Sequence, residues 1–162
     1  MILIGIYTGW RPQELAKIKL EDINDNYITG GLKTDAGKNR KVPIHPAIRH
    51  LVNNRIKDAL TLKSDYLFND TASKYDINLT YDKYRRRFEK IMKNFNLQHR
   101  PHDTRHTFIT LGKEHDMNEY ILKLIAGHAI NDITEQVYTH RTLEQLQTEI
   151  NKIPDYIIKP PE

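Results

Sequence analysis

There is no cysteine among the 162 residues. Disulfides, thiol catalysis and cysteine-ligated zinc are therefore excluded, and the composition is compatible with the cytosol. Long apolar runs are missing too. The longest, Met1 to Tyr7, falls far short of the ~20 apolar residues that span a bilayer. It has no basic segment ahead of it and does not read as a secretory signal. We therefore expect a cytoplasmic protein with no membrane partner. Glycine is scarce, with 7 in the chain, and none is arranged as a P-loop or a dinucleotide-binding loop. His102 and His106 are four apart but enclose Asp-Thr-Arg, without the glutamate of a zinc hydrolase. A GxSxG elbow is also lacking. Any catalysis must use His, Arg, Lys, Tyr or scattered carboxylates.

What is present describes one globular domain. Hydrophobic residues make up 38% and charged residues 28% of the chain, a balance suited to a packed core. The formal net charge is +4 and the pI about 9.2. Such a basic excess fits a polyanionic partner, because Lys and Arg displace counterions condensed on DNA. Charge alone does not decide it, since many proteins without a nucleic-acid role are as basic.

The elements read as a helix, a small sheet, then helices. Met1 to Tyr7 is apolar on all sides, Thr8-Gly9 is a stop, and Pro12 suits the first position of a short helix. Strand signals follow at Tyr27 to Thr29 and Arg40 to Ile44, with Asp35 and Gly37 between them suggesting a hairpin loop, and Pro43 closing the second strand. Ile48, Leu51, Val52 and Ile56 recur at helical spacing, as do Tyr84, Phe88, Met92 and Phe95. Both stripes read as core. The Arg85 to Arg87 run on the second helix reads as a solvated face, with DNA-backbone contact as the alternative. Four further helices are expected over residues 102–115, 118–126, 132–138 and 143–151. The fold class is α+β, mostly α-helical, with a small antiparallel β-sheet on one side.

Chemistry concentrates in His102-Asp103-Thr104-Arg105-His106. On a helix, residues three apart share a face, so His102 and Arg105 can address one anionic group. The planar guanidinium suits phosphate because it binds two oxygens together. Taken alone, His-x-x-Arg is a short pattern with frequent chance matches. It is joined by a second arginine in Thr8-Gly9-Trp10-Arg11-Pro12-Gln13-Glu14-Leu15, by Gly127-His128 after an apolar helix, and by Tyr138 ten residues later.

In this order the blocks TGWRPQEL, GLKTDAGKNRKVPI, HDTRHTF and AGHAINDITEQVYTH resemble the tyrosine recombinase, or phage integrase, family, particularly integrases of phages and mobile elements. Each block is weak and the set is highly specific. The resemblance implies a catalytic set of Arg11, Lys33, His102, Arg105, His128 and the nucleophile Tyr138. The interval from His128 to Tyr138 is one residue longer than is usual in the family. The family also carries an N-terminal DNA-clamping domain and one more helix before the Arg11 block. The whole chain is therefore expected to be a catalytic-domain fragment, with residues 142–162 as a C-terminal tail.

Site-specific recombination is the implied activity: Tyr138 cuts a DNA strand and holds it as a 3′-phosphotyrosyl link. That link preserves the energy of the broken bond, so another strand can reverse the attack without ATP, cofactor or metal. In this scheme His102 takes the phenol proton. Arg11, Arg105 and His128 stabilise the phosphate, and Lys33 protonates the leaving oxygen. Lys38 and Lys41 are alternatives for that last role. Glu14 either orients Arg11 or only favours a helical first turn, and His106 reads as a hydrogen-bonding support. Double-stranded DNA at specific attachment sites is the implied partner, with a tetramer assembled on it and accessory DNA-bending proteins as possible helpers. The tail carries Leu143, Leu146 and Ile150 at helical spacing and must bury that stripe, in the related recombinases commonly on a neighbouring subunit. Rival readings are an inactive DNA-binding module of the same fold, a topoisomerase-like relaxing enzyme and a generic helical interaction domain.

Overall fold

Gly9 ends the first helix in a left-handed conformation, φ 64°, and a Cβ at this position would overlap the Phe108 ring. Glycine meets both demands. The computed structural model describes residues 1–31, 39–73, 77–128 and 141–157. Within these, helix α1 (Ile2–Thr8) is followed at once by the short α2 (Pro12–Leu15), which starts on Pro12. Strand β1 (Tyr27–Gly30) pairs antiparallel with β2 (Arg40–Pro43), with Ile28 opposite Val42. As expected, Pro43, which has no N–H to give a ladder, ends the strand.

The remaining helices are α3 (Pro46–Thr61), α4 (Tyr81–Asn94), α5 (Asp103–Glu114), α6 (Glu119–Ala126) and α7 (Leu143–Ile150). Each but α5 opens on a capping side chain: His45, Thr80, Asn118 and Thr142 accept backbone N–H groups of the first turn. His102 stands at the N-cap of α5 and so precedes it rather than lying inside it. Helix α1 packs against α5 and α3, and Tyr7, Trp10, Ile28, Ile48, Phe88 and Phe108 fill the core between helices and sheet. Phe95 departs from the sequence reading. Helix α4 stops at Asn94 and Asn96 turns to φ 53°, which leaves the Phe95 ring 73% exposed instead of buried. The helix expected at 132–138 lies outside the described residues. Among the described residues no helix is long and apolar enough to cross a membrane.

The tail buries its stripe on its own chain. Helix α7 packs on β2 and α6, and Leu146, Ile150 and Ile153 are buried. Two polar ties follow. The Tyr7 hydroxyl donates to the Pro154 carbonyl at 3.0 Å and accepts the Tyr156 N–H at 2.7 Å. His45 Nδ1 accepts the Ala47 N–H at 3.1 Å, so Nε2 carries the proton and donates to the Ile153 carbonyl at 2.8 Å. A protonated ring would set an N–H against the Ala47 N–H. Burial holds the His45 pKa below its ordinary value, against smaller opposing effects of the Ile153 carbonyl and Asp155. A histidine depressed in the folded state stabilises fully above its unfolded pKa of about 6.5 and loses that contribution as pH falls through the folded value. The thermal midpoint should therefore drop on acidification. His45→Asn, which keeps a capping oxygen but cannot titrate, should drop less. Parallel pH curves for the two proteins would exclude His45 as the sensor.

Candidate active site

A helix leaves its last carbonyls without partners. At the end of α6 three consecutive carbonyls are each taken by a different arginine. Arg40 Nε donates to Ile125 at 3.1 Å, Arg105 Nη1 to Ala126, and Arg11 Nη2 to Gly127 at 3.1 Å. The negative end of the helix favours this gathering of cations. Gly127 turns left-handed there, φ 69°, and a Cβ on it would come within 3.0–3.1 Å of the Arg40 side chain. The glycine lets the chain turn out of α6 directly over a guanidinium and delivers His128 to the surface.

Glu14 organises two of these arginines. Its Oε1 accepts from Arg11 Nη1 at 3.2 Å, and its Oε2 from the Arg11 N–H at 3.2 Å and from Arg40 Nη2 at 2.8 Å. The carboxylate is buried, so it orients Arg11 as well as closing the first turn of α2. Arg105 is buried as well, and its Nη1 donates also to the Gly9 carbonyl at 2.7 Å. Its Nη2 is buried without a hydrogen-bond partner among the described residues. Buried donors left unpaired are rare and call for an explanation. Burial pushes the Arg105 guanidinium down to about 10, with Arg11 and Arg40 pushing the same way and Glu14 opposing. It stays charged at neutral pH.

The two histidines flank this cluster at the surface. His102 lies one turn before Arg105, and the His106 ring stands edge-on to it with centroids 5.0 Å apart. The pKa of His102 is held below the ordinary value by burial first, then by His106, Arg105 and Arg11, with Asp103 opposing. That of His128 is lowered by burial, then by Arg105, Arg11, Lys123 and Arg40. Both rings are thereby kept neutral near pH 7, so each can accept or donate through a chosen nitrogen.

The structure thus brings Arg11, Glu14, Arg105 and His128 together, with His102 and His106 beside them. Lys33 and Tyr138 lie outside the described residues, as does Lys38. Lys41 stands on the other face of β2 from Arg40, exposed, with its Nζ 5.1 Å from the Tyr27 ring centroid, and is not turned toward the arginines. Arg85 pairs with the exposed Asp82 and Glu89, as on a solvated face, and Arg87 reaches the buried Asp70. Sequence reasoning missed Arg40. Its signal was the period of two: Arg40 shares a face with Val42, a core residue, and a cation on a core face needs a buried partner. Among the described residues no group of His, Cys, Asp or Glu could hold a metal ion.

The model of the Phage integrase family matches residues 1–145. The tyrosine recombinase XerA of Saccharolobus solfataricus is 32% identical over 154 residues, which cover 94% of this chain and 48% of that protein. The transposase from transposon Tn916 of Enterococcus faecalis is 28% identical over 180 residues, covering 94% of this chain and 44% of that protein. This chain therefore spans about half the length of the curated relatives it matches. Among solved structures, the Tn1549 transposon integrase in complex with circular intermediate DNA superposes with a TM-score of 0.65 at 24% identity, over 92% of this chain and 55% of that one. At that identity the likeness shows the fold.

Proposed function

The chain belongs to the phage integrase family, and on that premise we propose that it is the catalytic part of a tyrosine site-specific recombinase, cutting and rejoining double-stranded DNA at the attachment sites of a mobile element. The observation that carries this reading is Arg105: buried, anchored through Nη1, with Nη2 unpartnered among the described residues. Such a donor is fixed before any ligand arrives, and Arg11 beside it doubles the positive charge. Together they suit one phosphodiester, whose non-bridging oxygens gain charge during displacement.

In the proposed reaction the Tyr138 oxygen attacks phosphorus, the bond to the 5′-oxygen breaks, and the phosphate stays on the 3′ side as a phosphotyrosyl ester. The phenol proton goes to His102, whose neutral form is favoured by burial first and then by His106, Arg105 and Arg11. His128 donates a hydrogen bond to the phosphate. Lys33 gives its proton to the leaving 5′-oxygen. A 5′-hydroxyl of a second strand then reverses the steps, which calls for several copies on DNA; we propose a tetramer, with DNA-bending helpers where sites lie apart. Incubation with DNA nicked beside the cleavage site should trap a covalent adduct on the peptide that contains Tyr138. An adduct on another tyrosine, or none on cognate DNA with the full-length protein, refutes the proposal.

The general acid has its own test. Lys33→Ala should slow cleavage of ordinary DNA on the order of 100-fold or more, within the range such proton transfer supplies. A substrate whose leaving oxygen is replaced by sulfur should be nearly unaffected, because a thiolate leaves without a proton. Equal losses on both substrates would remove Lys33 from the role.

A further inference from the structure

Arg40 stands behind the site rather than in it. Its side chain is 5% exposed. Its contacts among the described residues include four groups: the Glu14 carboxylate at 2.8 Å, the Ile125 carbonyl at 3.1 Å, the Trp10 ring with its centroid 4.0 Å from Cζ, and the bare backbone of Gly127. Three of these contacts lead to groups assigned to the reaction. Glu14 holds the Arg11 guanidinium and backbone. Ile125 and Gly127 form the turn from which His128 leaves α6.

We infer that Arg40 is a positioning residue for strand cleavage, a clamp that fixes Arg11 and His128 relative to each other without itself touching DNA. This rests on the cleavage reaction proposed above. The physical ground is the sharing of the Glu14 carboxylate. One buried carboxylate is shared by two guanidinia, and its two oxygens are divided between them. Without Arg40 the carboxylate loses a buried cationic partner, and a buried charge with a partner removed draws more strongly on what remains, Arg11 included. Arg11 would be pulled toward Glu14 and away from the Gly127 carbonyl and the phosphate position. At the same time the end of α6 would lose one of its three cationic caps and the side chain that supports Gly127. Lysine cannot stand in. Its single ammonium cannot reach Glu14 and Ile125 along separate N–H directions while lying flat on Trp10.

The test uses Arg40→Lys, Arg40→Met and the double variant Arg40→Met with Glu14→Gln in the full-length protein, with DNA nicked at the cleavage site. A misplacement of about 1 Å costs on the order of 100-fold in rate. Single-turnover cleavage should therefore fall by about that factor in Arg40→Met and by at least about 10-fold in Arg40→Lys. DNA affinity should change less than about 3-fold, since the phosphate contacts made elsewhere remain. The double variant should recover about 10-fold over Arg40→Met, because the unbalanced pull of the carboxylate on Arg11 is gone. Histidine titration by NMR supplies a readout that folding alone would not move: the His128 pKa should rise when Arg40 is lost. Cleavage by Arg40→Lys at the wild-type rate would overturn the inference. So would a loss in Arg40→Met that only tracks the unfolded fraction while the His128 titration stays unchanged. Absence of cleavage by the wild-type protein would instead refute the proposed reaction, and the His128 titration would still decide whether Arg40 acts on the turn.

Discussion

Tyr138→Phe is expected to abolish the covalent protein–DNA adduct, a loss beyond about 10,000-fold, while DNA affinity stays within about 3-fold of wild type. Phenylalanine keeps the ring and removes only the attacking oxygen. Phosphate contacts, which dominate affinity for DNA, come from cationic and backbone groups elsewhere and are left in place. The wild-type reaction also carries a pH signature. A free phenol has a pKa of about 10 and attacks poorly at neutral pH without a base. The proposed base, His102, accepts a proton only when neutral, and its pKa is held below the ordinary histidine value by burial and the surrounding cations. Cleavage should therefore be maintained as pH falls toward the ordinary histidine range and lost only as pH passes below it. Denaturing gels with end-labelled nicked DNA measure both effects. An undiminished adduct in Tyr138→Phe would place the nucleophile on another tyrosine, and loss of wild-type cleavage well above the histidine range would remove His102 as the base.

Local chemistry made much of the fold legible. Pro12 opens α2 where its fixed φ and missing N–H suggested, and Gly9 and Gly127 end α1 and α6 in left-handed turns. Arg40, Val42 and Ile44 of the expected second strand and the stripe Tyr84, Phe88, Met92 are buried. Phe95 was misread because periodicity reports which face a residue would take if the helix continued, not where it stops. The small end of the site was legible only as blocks. His-x-x-Arg gives two side chains a common face, yet nothing local says that residues 11, 40 and 105 converge on carbonyls 125 to 127. Those contacts join positions 116, 85 and 21 apart in sequence. Three cations gather there because a helix end with open carbonyls and one buried carboxylate offset their repulsion, and both are products of tertiary packing. Arg40 was visible in principle through its core-facing register, but a period-two argument identifies a buried cation without naming its partners.

Those convergent contacts make Arg105 the residue whose replacement should be least tolerated after the nucleophile. Its Nη1 ties the Gly9 and Ala126 carbonyls together, and so fixes the stop of α1 to the end of α6, while Nη2 is held without a partner among the described residues. One planar group performs both tasks because its donors diverge at fixed angles. Arg105→Ala removes the scaffold along with the donor. It strands two buried carbonyls, each at a cost of about 1–3 kcal/mol, so a loss of activity there would not separate folding from catalysis. Arg105→Lys makes that separation. The ammonium retains the charge and can satisfy one of the two carbonyls, but a flexible stem cannot hold a second donor rigidly toward a phosphate. Folded protein should survive with a lowered thermal midpoint, and DNA affinity should stay within about 3-fold. Single-turnover cleavage should drop on the order of 100- to 1,000-fold, the usual loss for one preorganised donor to a developing oxyanion. Inorganic phosphate, added to the free protein as a probe, should protect wild type against thermal unfolding more than it protects Arg105→Lys, since only the arginine presents a fixed second donor. Cleavage by Arg105→Lys within 3-fold of wild type, with equal protection by phosphate, would mean that charge at this position suffices. The Arg105 Nη2 donor would then have no part in the chemistry.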